Sequence, residues 1–245
     1  MVIRDWSSDV CSSDLELHPD TGSMLTLSQI HEDVMIIRDL GCNFVRGAHY
    51  PQDQRFLDLC DEYGILVWEE YTGWNQTEAH YADPRFLKAQ LDGIETMIST
   101  SYHHPCVIIW GFLNEGANSK APNAPAFYHR ITDHIRALDN SRLVAAANVY
   151  YDCFGDAMPD MDIVCYNMYA GWYYGEIDEG AIEGEIKEWI QKSRKIMGEK
   201  RPFMLSEFGS EGLPGYRDIN NARWTETYQC RQLRTCATER SETHV

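Results

Sequence analysis

Hydrophobic positions along this chain fall into two alternating patterns: short unbroken apolar runs, and longer stretches with apolar residues every three or four positions. From Ser28, Ile30, Val34, Ile37 and Leu40 share one helical face, Glu32 and Asp33 fall in the first turn, and Gly41 follows as a helix stop. The run CNFVR comes next, and then the pattern recurs. Phe56, Leu57, Cys60 and Tyr63 make a helical stripe, Gly64 ends it, and ILVWEE reads as a buried strand. Asp83 and Pro84 cap and open a further helix carrying Leu87, Leu91, Ile94 and Ile98. It stops at the turn-like HHP of 103–105, and CVIIWGFLNE follows directly. Phe127, Ile131, Ile135 and Leu138 mark another helix, with Asp139, Asn140 and Ser141 turning into the strand RLVAAA. The strand MDIVCYN, a helix with Ile182, Ile186, Trp189 and Ile190, and the strand PFMLSE complete the series.

Apolar strands without in/out alternation, separated by amphipathic helices, predict a parallel sheet covered by helices. Polar residues choose between a barrel and an open doubly wound sheet. Arg46, Glu69, Asn114, Glu115, Asn167 and Glu207 all stand at strand ends, and barrels build their sites from the C-terminal ends of many strands. An open sheet concentrates its chemistry at one switch point, usually with a glycine-rich phosphate turn, and neither GxGxxG nor a P-loop occurs here. The expected fold is therefore α/β, a (β/α)8 TIM barrel. With CNFVR as its second strand, Glu115 ends the fourth and Glu207 the seventh, an interval of three βα units of about 30 residues each. The first strand is a stub before HPDTG and no eighth is recognisable after Tyr228, so the barrel reads as incomplete.

Residues 1–15, MVIRDWSSDVCSSDL, are rich in Ser and Asp without periodicity and are set apart as a leader or artefact. They lack the basic and apolar regions of a secretory signal. Residues 16–235 form the barrel domain and 236–245 a tail.

Besides ILVWEE, two strands end in a single glutamate, Glu115 after CVIIWGFLN and Glu207 after PFMLS. An unpaired buried carboxylate costs several kcal/mol, so these endings point to strands delivering acids to a shared, solvated site. Two positioned carboxyl groups are what glycosidic bond cleavage requires. Glu69 and Glu70 divide between an ion-pair partner for Arg46 and a solvated loop charge, and Glu211 reads as loop surface.

Composition narrows the partners. A net charge of -17 repels phosphate backbones and anionic lipid, so nucleic acid and membrane are not expected. No apolar stretch reaches the roughly 18 residues of a membrane span. The eight cysteines form no CxxC pair and have no ligand-like spacing with His, and the adjacent His103 and His104 are not at i, i+4. No metal or other cofactor is expected. Cys42, Cys106 and Cys165 lie in or beside apolar runs as small hydrophobes, which points to a reducing, cytoplasmic compartment, with the periplasm and secretion left open. Among seven Trp and fourteen Tyr, Trp74 and Trp172 are candidate sugar platforms, with packing as their competing role.

Four segments carry a resemblance: VRGAHYPQDQRFLDLCDEYGILVWEE at 45–70, HHPCVIIWGFLNEG at 103–116, DIVCYNMYAGWY at 162–173 and RPFMLSEFG at 201–209. In this order and spacing they resemble the catalytic barrel of glycoside hydrolase family 2, the family of β-galactosidases, β-glucuronidases and β-mannosidases. The resemblance implies a retaining glycosidase of β-glucuronidase or β-galactosidase type, acting on a carbohydrate substrate. It makes Glu207 the nucleophile and Glu115 the acid/base, with Asn114 bonding the sugar 2-hydroxyl. It places Arg46 and His49 near the sugar subsite and Tyr169 on the nucleophile, and Asn167 and Trp172 count with them as substrate-binding. A retaining pair stands about 5 to 5.5 Å apart. NMYAGWY looks more like the β-glucuronidases than other branches.

There are also departures. Leu15 and Glu16 stand where the family's first strand ends in His-Glu, and the family's two β-sandwich domains have no counterpart here. The Asn and Lys that select a glucuronate carboxylate would fall past the end, so the sugar is not readable. Homo-oligomerisation would use the absent domains. The competing hypothesis is a carbohydrate-binding or truncated barrel without turnover. A metal-dependent hydrolase would need a His/Asp cluster at strand ends that the chain lacks.

Overall fold

The computed structural model describes residues 18, 20–116, 121–149, 160–173, 179–198 and 201–242. The expected leader, the first-strand stub at Leu15 and Glu16, and Cys11 and Cys153 lie outside the described residues.

Helix α1 (Leu27–Asp39) opens on a capping box, in which Thr26 and Gln29 each accept the other's backbone N–H. It starts earlier than its apolar stripe suggests, so Glu32 and Asp33 lie beyond the first turn. Strand β1 (Phe44–Gly47) is followed by α2 (Gln54–Tyr63), which ends on Gly64 at φ 72, a left-handed position that glycine fills without strain. After β2 (Leu66–Glu70) come a short α3 (Glu78–Ala82) and α4 (Pro84–Ser101), the latter capped by Asp83 with proline in its first turn. Strand β3 (Val107–Asn114), α5 (Ala124–Leu138), β4 (Leu143–Asn148), β5 (Val164–Asn167), α6 (Glu179–Met197), β6 (Phe203–Glu207) and α7 (Glu226–Glu242) follow.

All six strands are parallel and pair in sequence order, β1 through β6. The order never reverses, as expected of a barrel wall and not of a doubly wound sheet. Alternate residues separate two cores. Val45, Val67, Val107, Val144 and Val164 face the helices and pack with Leu57, Ile94, Ile131 and Ile135. Phe44, Trp68, Ile109, Ala145, Ala147 and Cys165 form a smaller cluster on the inner face. Both faces are therefore apolar, which is why the strands show no sequence alternation.

Helices α3 and α7 were not expected. Among the residues of α7 whose burial is described, the buried positions are Tyr228, Gln232 and Cys236, a stripe with only modest apolar character. The helix continues through residue 235 without a break. Cys42, Cys60, Cys106, Cys165 and Cys236 are buried and Cys230 is exposed.

Candidate active site

Arg46, from the middle of β1, is fully buried on the inner face and connects most of the site. Its Nε and Nη2 donate to Glu70 Oε2 at 3.0 and 2.7 Å, Nη2 also donates to Asn114 Oδ1 at 2.9 Å, and Nη1 donates to Glu207 Oε1 at 2.7 Å. Burial opposes the guanidinium charge, but the Glu70 and Glu207 carboxylates more than offset it and raise the Arg46 pKa further. The guanidinium stands over the Trp68 ring at 4.8 Å. That ring fits because residue 111 is glycine: a Cβ there would lie 2.0 Å from Trp68 Nε1.

Glu70 is thus the ion-pair partner of Arg46. Glu69 is not a solvated loop charge. Strand β2 continues through both glutamates, so the alternation that turns Glu70 inward turns Glu69 toward the helices, where it is fully buried. Its Oε1 accepts from Ser101 Oγ at 3.0 Å and from the Gln52 N–H at 3.2 Å. Burial pushes its pKa up to about 7 against the pull of those donors.

The two strand-end acids converge on the same network. Glu207 closes β6 with its side chain 11% exposed, Oε1 held by Arg46 and facing His49 Nε2 at 3.6 Å, and Oε2 accepting from the Tyr169 hydroxyl. His49 Nδ1 stands 3.1 Å from Glu70 Oε1, so a proton on Nδ1 bonds Glu70 and leaves Nε2 toward Glu207. Glu115 follows β3 at φ 49, a left-handed conformation costing a non-glycine residue about 1–3 kcal/mol. Its Oε1 accepts from Asn167 Nδ2 at 2.9 Å, and the same nitrogen donates to Asn114 Oδ1 at 2.9 Å. Ser206 Oγ donates to Asn167 Oδ1 at 2.7 Å, which fixes the amide's orientation. Asn114 Oδ1 is filled by Arg46 and Asn167, so its Nδ2 is the group left to meet a ligand.

Tyr169 leads the turn after β5. Burial and the adjoining Glu207 carboxylate, with a smaller contribution from Glu115, hold its pKa far above the usual tyrosine range, so it stays a donor. Helix α7 grips this turn from behind, Tyr228 Oη donating to the Gly171 carbonyl and Gln232 Nε2 to Ala170 O at 3.1 Å. Trp172 is 5% exposed and packs edge-on against Trp224 at 4.9 Å, so it supports the turn and offers no open face. The open rings are Tyr173, 67% exposed and 5.1 Å from Tyr169, and Trp74, 62% exposed and bridged through its backbone to Asn114.

Arg46, His49, Asn114, Glu115, Asn167, Tyr169 and Glu207 therefore form one connected network, with Trp172 outside it. Sequence reasoning missed Ser206, Tyr173 and the Tyr228 anchor. Ser206 and Tyr173 each adjoin a residue already singled out, whereas nothing local marks Tyr228. Asp61, His104 and Cys106 bring ligand-type atoms within 4.8 Å of one another. Their donors already serve structure: Asp61 is 2.7 Å from His104 Nδ1 and accepts from the Cys106 N–H at 2.7 Å. Burial keeps the Cys106 thiol protonated.

A helix-covered parallel sheet with two acids at the C-terminal ends of separate strands defines a TIM-barrel scaffold of the glycosidase type. Residues 14–244 match the family described as glycosyl hydrolases family 2, TIM barrel domain, and the chain belongs to that family. The β-glucuronidase of Mus musculus is 32% identical over 203 residues, 81% of this chain and 30% of that protein. The chain thus spans about a third of the length of such relatives. A solved family 2 β-galacturonidase from Eisenbergiella tayi, bound to galacturonate, superposes with a TM-score of 0.82 at 34% identity, over 94% of this chain and 40% of that one. An uncultured Clostridium sp. β-glucuronidase shares the fold, with a TM-score of 0.86 at 23% identity over 93% of this chain and 40% of that one.

Proposed function

We propose that this chain carries the catalytic site of a retaining β-glycosidase, with Glu207 as nucleophile and Glu115 as acid/base. One observation carries the assignment: Glu207 has both oxygens held by cationic or hydroxyl donors, while among the described residues the Glu115 carboxyl group meets only an amide, and Asn167, Asn114 and Arg46 link the two in a chain. Unequal environments for two carboxyl groups are what separate a nucleophile from an acid.

In the first step the Glu207 carboxylate attacks the anomeric carbon, the bond to the leaving oxygen breaks, and Glu115 gives that oxygen its proton. In the second, water attacks the glycosyl ester, Glu115 takes its proton, and the Glu207 carboxylate departs. In this reading Asn114 Nδ2, its Oδ1 being taken by Arg46 and Asn167, bonds a sugar hydroxyl. The names of the relatives, β-glucuronidases and a β-galacturonidase, favour a β-linked uronide over a neutral galactoside.

The test is Glu207→Gln beside the parent on aryl β-glucuronides, galacturonides, galactosides and mannosides. Turnover should fall by about three orders of magnitude or more. The sugar first released by the parent should be the β-anomer by NMR, and release of the α-anomer would remove the covalent step. The second hypothesis, a carbohydrate-binding barrel without turnover, is favoured by β6 not pairing with β1 among the described strands. Equal rates for parent and variant would select it.

A further inference from the structure

Glu69 lies outside the reaction just described, yet it is a fully buried carboxyl group whose Oε2 finds no hydrogen-bond partner among the described residues. Leaving such a group incompletely satisfied is destabilising, so packing alone does not account for it. Its other oxygen accepts from the backbone N–H of Gln52.

Gln52 is the last residue of the loop that leads from β1 past His49 to the Asp53 cap of α2. It is buried, its Nε2 donates to Tyr50 O at 2.9 Å, and its side chain packs where a Cβ on Gly47 would stand, 2.6 Å from Gln52 Cγ. The loop is therefore anchored at Gln52, and Glu69 supplies the anchor's acceptor from the neighbouring strand. Glu70, the next residue, meets His49 Nδ1 from the inner face. Two successive residues of β2 thus fix both the root of the His49 loop and the tip of its side chain.

The far side of Glu69 is also directed. Gln54 Nε2 donates to Ser101 Oγ at 3.0 Å, which turns the Ser101 proton toward Glu69 Oε1 at 3.0 Å. Gln54 Oε1 in turn faces His104 Nε2 at 3.1 Å. Helices α2 and α4 hold the carboxyl group against Gln52.

We propose that Glu69 is a positioning residue: from the helix side of β2 it grips the Gln52 backbone and so sets the loop that presents His49 to Glu70 and Glu207. This rests on the glycosidase assignment above. Glu69 touches no substrate and acts only through His49.

The experiment compares Glu69→Gln, which keeps an acceptor oxygen, with Glu69→Leu, which removes it, in the full chain with and without His49→Ala. Rates are taken per folded molecule, with the folded fraction from circular dichroism. Glu69→Gln should stay within about threefold of the parent, and Glu69→Leu should lower kcat by about 10- to 100-fold, the usual effect of a small misplacement. In the His49→Ala background Glu69→Leu should change kcat by less than about threefold, because what it positions is gone. Ser101→Ala, a milder change, should show the same pattern at smaller amplitude.

Equal losses from Glu69→Leu in both backgrounds, or a Glu69→Gln loss as large as the leucine loss, would overturn the proposal. The His49 ring signal in histidine-labelled NMR spectra, assigned by its absence from His49→Ala, should move in Glu69→Leu and stay in Glu69→Gln. A parent that hydrolyses none of the glycosides would defeat the glycosidase assignment. The NMR comparison would still decide the role of Glu69, and an unmoved His49 signal would end it.

Discussion

At the scale of single residues the site is a balance of buried charges. Arg46 serves two carboxylates at once, and each of them has a further donor, His49 on Glu70 and Tyr169 on Glu207. The exception is Glu69, which burial raises to about 7 from an ordinary 4.5. The folded chain therefore holds a proton there that the unfolded chain has released. The associated stability is fully present below about pH 4.5 and is lost as pH rises through 7, in total on the order of 3 kcal/mol. Glu69→Gln has no proton to lose. Urea melts between pH 5 and 8 should show the variant gaining on the parent as pH rises, and parallel curves would contradict the burial argument.

At the scale of elements, α7 belongs to the site although it carries neither of the two strand-end acids. By holding the carbonyls of Ala170 and Gly171 it sets the turn that aims Tyr169 at Glu207. Tyr228→Phe removes one of those bonds at a stability cost of about 1 kcal/mol. If the turn depends on it, kcat should fall about tenfold, more than so small a loss of folded protein explains, and an unchanged kcat would make the clamp purely structural. The six strands and, the short α3 apart, the helices between them were legible because both faces of the sheet are apolar and each of those helices has a continuous stripe. Helix α7 was not legible, since Gln232 interrupts its stripe. The strand-end acids, Arg46, His49 and Tyr169 could be picked out from the chain. The burial of Glu69 could not, because adjacent glutamates at a strand end look alike until the strand is seen to continue through both.

For the whole molecule, the imbalance of 38 acidic and 21 basic side chains means that the compact chain repels itself. Salt screens exposed charges within about 10 Å at 0.1 M, while the fully buried Arg46–Glu70 pair is largely shielded from it. Thermal unfolding should therefore shift upward when sodium chloride is raised from about 20 to 300 mM. A downward shift would mean that exposed ion pairs outweigh the repulsion. Against that diffuse field, one group touches distant parts of the chain directly: the Asn167 carboxamide meets Ser206 of β6, Asn114 of β3 and the Glu115 carboxyl group. That amide lies against the carboxyl group proposed as the acid/base, so a single nitrogen-15 resonance would make a native gauge of whether a glycoside, on entering, disturbs that group.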